Sequence, residues 1–386
     1  MKKILFLLCL LPELSFSIVQ NNFLTPIGGI EGITGNTGVA RRASVGNVIY
    51  NPAGLAYINT HKVSVSGSAF SQNWVDIDIS GTSESIEYFQ TTPSQITTVY
   101  HKGKLNFAFS ILVPKVSKFK TSFDLTSVKS EVNYEDQETY AGPTVSLKLS
   151  EEFAIGLSIF GIKRDFSKGE LLYVTENDVA AQRFFSLSIT GLSAVGNLGI
   201  SYAPKKNFLM GINVQSPKIN INSSFESKVF TTGTNDTTST ETKNGKATFT
   251  GPAEVSFGLE YDPSEDVKLL FDLGYQFSKY SLLVESDASG GAAFYDYKKS
   301  FRAHLGMEYY KSKKEAYTFG ASYNEKNEVN SLDFIGATLG YRLREEVADS
   351  MIGIFINKSL PETTNNIETN YLMAGVYLSS SINFMK

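Results

Sequence analysis

The clearest order in the chain is an alternation of period two. Val267, Leu269, Phe271, Leu273, Tyr275 and Phe277 are apolar, and Lys268, Asp272, Gly274, Gln276 and Ser278 lie between them, with Leu270 the exception. Successive side chains of a strand point to opposite faces, so such a segment has one greasy and one polar face. The pattern returns in Leu105–Val113, Val255–Tyr261, Phe301–Tyr309 and Ala337–Leu343. Alternating segments of about 10 to 14 residues suit tilted membrane-crossing strands; strands of soluble sheets average about 5 to 6. In a soluble sandwich the greasy face would meet a second sheet. In an outer-membrane barrel it meets lipid, and the polar face lines the lumen.

The connections alternate in length. Short charged turns stand at His101–Lys104, Ser150–Glu152, Pro204–Asn207, Asp262–Asp266, Lys311–Glu315 and Arg344–Asp349. Longer polar stretches fall between them: Asn73–Ser94, Pro114–Glu138, Ser167–Ala181, Pro217–Ala247, Ser281–Ser300, Glu325–Asn330 and Pro361–Glu368. Short periplasmic turns opposite long extracellular loops are the outer-membrane arrangement. About fourteen strands result, starting near His61, Ser94, Lys104, Thr139, Glu152, Gln182, Asn207, Thr248, Asp266, Ser300, Glu315, Ser331, Ala348 and Thr369. The expected fold class is therefore all-β, an antiparallel transmembrane barrel spanning residues 61–386. The low-complexity run Thr231–Gly245 is expected to be a mobile loop tip.

Composition narrows the setting. Met1-Lys2-Lys3, the apolar run Ile4–Leu11 and the small residues Ser15 and Ser17 predict a signal peptide over residues 1–17. The one cysteine, Cys9, lies within it, so the mature chain would hold no disulfide and no thiolate metal site. The net charge of −4 leaves no basic footprint for nucleic acid. An outer-membrane location, a monomer and no cofactor are expected.

Residues 18–60 do not read as a strand. They hold Gly28, Gly29, Gly32, Gly35 and Gly38, then Asn51-Pro52-Ala53-Gly54-Leu55-Ala56. Proline fixes φ, Asn51 can accept from its own backbone two residues on, and Gly54 would permit a positive φ, so a tight turn is expected. Gly35-Asn36-Thr37-Gly38-Val39-Ala40 together with the Asn-Pro-Ala core resembles the N-terminal hatch of the FadL/TodX family of long-chain fatty acid and hydrocarbon outer-membrane transporters. The resemblance is residue-specific only in this short region. It implies a small plug, residues 18–60, inside a fourteen-stranded barrel, with Asn51, Pro52, Ala53 and Gly54 as plug or gating residues. It also implies capture of ligand by extracellular loops, movement of the N-terminal segment and lateral release. Barrels of this kind usually end on an aromatic residue, whereas Phe384 is followed by Met385 and Lys386.

Other chemistry finds little support. The glycines 32, 35 and 38 form no phosphate-binding fingerprint. Of His61, His101 and His304, only His304 should face the lumen, beside Arg302 and Glu308 and without a serine partner. Three histidines and no mature cysteine disfavour a metal site. Lumen charges are expected mainly to pair with one another; Arg302, Arg342 and Lys268 are the candidates for holding a ligand carboxylate. Phe119, Phe123 and Leu125, with Trp74, are candidates for apolar capture in the long loops. The expected function is passive uptake of long-chain fatty acids or other hydrophobic compounds. A structural or secretion-associated barrel that binds protein partners stays open, as does a barrel lipase or protease.

Overall fold

The computed structural model describes residues 25–79, 82–125, 128–176, 179–232, 238–284, 293–327, 332–360, 362–364 and 367–384. The expected signal peptide, residues 1–17, and the first hatch residues, 18–24, lie outside them.

The strands in chain order are β1 His61–Ile79, β2 Thr82–Lys102, β3 Leu105–Leu125, β4 Val128–Lys148, β5 Phe153–Glu176, β6 Val179–Lys205 and β7 Phe208–Gln215. Next come β8 Ile219–Thr232, β9 Thr238–Lys246, β10 Glu254–Ser264, β11 Val267–Gln276, β12 Lys279–Val284 and β13 Ala293–Tyr297. The last are β14 Ser300–Tyr310, β15 Glu315–Asn324, β16 Phe334–Arg344, β17 Ala348–Ser359, β18 Glu362–Thr364 and β19 Ile367–Phe384. Neighbours pair antiparallel. β7 continues the wall to β10, β11 to β14 and β17 to β19, and β1 pairs with both β2 and β19. Fourteen strands thereby close on themselves, and β8, β9, β12, β13 and β18 extend the rim.

The seven starts His61, Leu105, Phe153, Phe208, Val267, Glu315 and Ala348 fall within one residue of expectation. Each but the first follows a short turn; there the switch from charge to alternation is sharp. At the other end Ser300 is met to the residue, and the starts expected at Gln182, Ser331 and Thr369 come within three, but others fail. β2 begins at Thr82 rather than Ser94, and β4 at Val128 rather than Thr139. Much of each long polar stretch is strand, so β1 to β6 run 19 to 27 residues. The supposed loop tip likewise contains β9, with residues 233–237 outside the described set. Above the apolar belt the outer face turns polar while inward residues such as Val75, Ile86, Val132 and Tyr134 are buried in an apolar cluster, so the hydropathy signal weakens, yet backbone N–H and C=O groups still require partners. Hairpin extension supplies them.

The faces follow the alternation. Phe107, Phe109 and Ile111 are exposed on the outside, and Asn106, Ala108, Ser110 and Leu112 between them are buried. The interior departs from expectation. Its short-turn half is occupied by residues 25–60, against a wall that is polar on one side and apolar on the other. Its other half is apolar: Phe166, Leu187, Ile189, Phe249, Phe334, Phe355, Tyr371, Met373 and Tyr377 belong to one buried cluster. Some of them, such as Phe166, stand among charged residues, and others, such as Met373 and Tyr377, in runs apolar on both faces, so in neither setting does alternation mark the inward side chains.

Candidate functional site

The N-terminal segment is built from three short turns: a 3-10 turn Ile30–Ile33, one α-helical turn Asn47–Tyr50, and a 3-10 turn Pro52–Tyr57. Asn51 works as expected on its own backbone: its Oδ1 accepts from the Ala53 N–H at 3.1 Å, and Pro52 opens the turn. Its amide also donates to Val39 O at 2.6 Å and to Ile200 O on β6 at 3.1 Å. Gly54 differs from expectation. Positive φ falls at Gly28, Gly35, Asn36, Ala43 and Gly103 but not at Gly54. A side chain at Gly54 would instead strike the Asn47 amide and the Arg41 carbonyl.

The wall is shaped to receive this segment. On the inner face, a Cβ at Gly199 would strike Asn51, one at Gly211 the Val39 carbonyl, and one at Gly258 Val39 and Ala40. Further round, Gly306 abuts Thr34 and Thr37, Gly320 abuts Gly35, and Gly340 abuts Ile33. Between the glycines stand charges. Asp272 Oδ2 accepts from the Gly38 and Val39 N–H groups at 2.6 and 2.9 Å. Arg41 meets Glu308 at 2.5 Å, and Arg42 meets Glu260 at 2.7 Å. Opposite, the contact is apolar: Ile27, Val48, Ile49, Leu55 and Ile58 pack on Val99, Leu112, Phe160, Ile162 and Val195.

The carboxylate-binding candidates fall within this ionic framework. Arg302 pairs with Glu254. Arg342 bridges Asp349 at 2.6 Å and Glu308 at 3.2 Å. Lys268 meets Glu260 at 2.8 Å and Asp262 at 3.4 Å. Lys268 and Arg342 share a polar cavity of about 440 Å³ below the N-terminal segment, and Arg302 lies apart from it. Trp74 is not in a loop but on β1, half-buried, between the buried residues Asn73 and Val75. Phe119, Phe123 and Leu125 fall on β3, and their side chains lie outside the described residues.

Two features escaped the sequence reading. The first is an ionic cluster beside the apolar interior. Arg164 grips Asp136 with two bonds of 2.8 and 2.6 Å, Lys115 meets the same carboxylate at 3.0 Å, and Lys218 meets Glu138 at 2.6 Å. The Arg164 guanidinium lies 4.6 Å from the centre of the Phe249 ring. The second is a parting in the wall. β2 and β3 pair only from Gln95↔Leu112 down to Lys102↔Leu105. Above that, among the described residues, β2 pairs with β1 and β3 with β4, but not with each other. Continuing the register would set Pro93 opposite Pro114. Proline supplies no N–H and is confined to strand edges, which these two strands become at this height. The signal was present in the sequence as two prolines equidistant from the turn at Gly103.

His304 Nδ1 lies 3.1 Å from the Asn36 carbonyl oxygen and Nε2 3.2 Å from Asn324 Oδ1, each positioned to accept a hydrogen bond from the ring, so both ring nitrogens serve structure. Among the described residues, no group of three or more His, Cys, Asp or Glu could hold a metal, and no helix is long and apolar enough to cross a membrane.

The wall and its contents define a fourteen-stranded barrel of the outer-membrane type. More narrowly, the fold is that of the FadL/TodX transporters. The toluene transporter TodX of Pseudomonas putida superposes with a TM-score of 0.72 at 15% identity, over 95% of this chain and 100% of that one. The toluene transporter TbuX of Ralstonia pickettii gives 0.70 at 14% identity, over 94% and 100%. A FadL homologue of Pseudomonas aeruginosa gives 0.71 at 12% identity, over 95% and 100%. These neighbours are transporters rather than enzymes. No family model matches the sequence, and no curated protein does.

Proposed function

We propose that the protein carries hydrophobic compounds passively across the outer membrane, with the short turns on the periplasmic side and residues 18–60 serving as its plug. The observation that carries this reading is an apolar interior whose wall parts between β2 and β3. A solute entering at the long hairpins would settle among side chains such as Phe166, Phe334 and Tyr371. Burial there is worth about 0.8 kcal/mol per CH₂. The N-terminal segment blocks the path straight down. The parting above Gln95 and Leu112 offers a way sideways, at the height where the exposed Ile96 and Ile111 mark the apolar belt. Phe70 and Phe89, stacked at 5.6 Å, stand above it on the outside.

The solved neighbours include toluene transporters and a FadL homologue, which supports this class of solute. Aromatic hydrocarbons and long-chain fatty acids both suit the interior. In the fatty-acid version a cation of the framework, Arg302, Arg342 or Lys268, would exchange its carboxylate partner for the ligand's. Asn51, Pro52, Ala53 and Gly54 would act as the rigid corner about which the plug turns. The apolar capture surface would include Trp74, Phe119, Phe123 and Leu125. Uptake of labelled toluene and labelled oleate by cells with and without the gene tests the reading. Faster uptake of at least one is expected with the gene; equal rates for both would remove the proposal.

A further inference from the structure

The outside of the wall is not evenly convex. Across β7, β10, β11, β14 and β15 it carries an apolar groove of about 670 Å³. Leu259, Phe271, Leu305, Met307 and Phe319 are among its sides, and Gly306, Gly320 and Ala321 lie along it. On the other face of the same strands the N-terminal segment holds the wall in place. Gly306 and Gly320 are register partners, and both have Thr34–Gly35 pressed directly against their inner side. Asp272, the Arg41–Glu308 pair and the Thr338 hydroxyl, which takes the Gly35 N–H at 3.0 Å, hold wall and segment together. With no side chain between them, wall backbone and segment backbone meet, while on the outer face the small Ala321 leaves a floor between the larger Leu305, Met307 and Phe319.

We propose that this groove binds an acyl chain of a phospholipid from the periplasmic leaflet, as a retained lipid rather than a passing neighbour. Three observations select that occupant. The groove is continuous with the apolar belt, since Leu269, Leu305 and Phe319 on its walls are exposed. Its lower end is at Phe208 and Tyr261, beside the short turns, so it opens toward the periplasmic headgroups. The exposed Lys205 and Lys206 stand at that end, at the turn three and two residues before Phe208, and complement a phosphate. An unfilled hollow forfeits dispersion contacts along its whole lining, which a flexible chain restores. The inference rests on the membrane orientation proposed above but not on transport.

Native mass spectrometry of the full chain, extracted in mild detergent, tests it. The unaltered protein should retain one phospholipid. Ala321→Phe fills the groove from the outside and should lower the lipid-bound fraction about tenfold, the change produced by 1.4 kcal/mol. Ala303→Phe, on the same outward face of β14 but not lining the groove, should leave retention unchanged. Leu305→Ala adds room without bulk and should keep or raise it. Absence of retained lipid in the unaltered protein, or equal retention by Ala321→Phe, overturns the proposal. Retained lipopolysaccharide in place of phospholipid overturns it too, because the leaflet would be the wrong one. Uptake measured on the same variants separates the two readings: loss of all uptake by the unaltered protein would sink transport and leave the lipid count standing.

Discussion

Asp272 shows how much one inward side chain can fix. Its carboxylate takes two successive N–H groups, those of Gly38 and Val39, where the backbone of the N-terminal segment passes glycines on the neighbouring strands. A backbone turn without a helix or sheet ladder has no other acceptor for those donors, and orphaning buried N–H groups is costly. Asp272→Ala should therefore destabilise by about 2 kcal/mol. The barrel should still assemble, and the temperature at which it loses its compact electrophoretic mobility should fall. No change in that temperature would mean that the segment is held elsewhere. The neighbouring pairs Arg41–Glu308 and Arg42–Glu260 share the task. The charges that alternation placed in the lumen thus serve chiefly to bind the segment and each other, which spacing along a strand does not reveal.

At the scale of elements, the parting of β2 from β3 is the feature with most bearing on the transport proposed above. Both strands continue beyond it, each paired on its far side, so the wall is interrupted rather than ended. Replacing both prolines, Pro93→Thr with Pro114→Thr, returns two N–H groups and a residue type that favours strands. Each new rung would contribute about 1 kcal/mol, so the two together would shift the seam toward closure by roughly 30-fold. Uptake of the hydrophobic solute should fall correspondingly while the amount of folded barrel in the membrane does not. Undiminished uptake in a well-assembled double variant would show that solute leaves by another route.

For the molecule as a whole, the fourteen-strand wall and its contents are separable in principle. The strands bond to one another, and the segment is held by side chains and by shape. A chain lacking residues 25–57 should still insert as a barrel, because every ladder of the wall remains. Its lower half would then be open to water. In planar bilayers it should give a steady ion conductance that the intact chain lacks. A silent deletion variant that is demonstrably folded would contradict the plug assignment.

Much of the wall was legible from residues alone. Greasy and polar positions alternate because a membrane demands one dry face, and the short turns break that alternation sharply, so strand number and the short-turn boundaries followed. The Asn51–Pro52 turn was legible because its bonds are local, although Gly54 is glycine for want of space rather than for its φ. What lay beyond reach depends on residues distant in sequence. The inward apolar cluster joins Phe166, Phe249, Phe334 and Tyr371, each unremarkable in its own stretch. The glycines of the wall gain their meaning only from the segment that crosses them. The sequence by itself determined that a tube would form and which side would face lipid, since both follow from periodicity. Only the tertiary structure decided which wall residues the N-terminal segment meets, where the wall parts and where its surface is hollow, because those depend on which far-apart backbones come into contact.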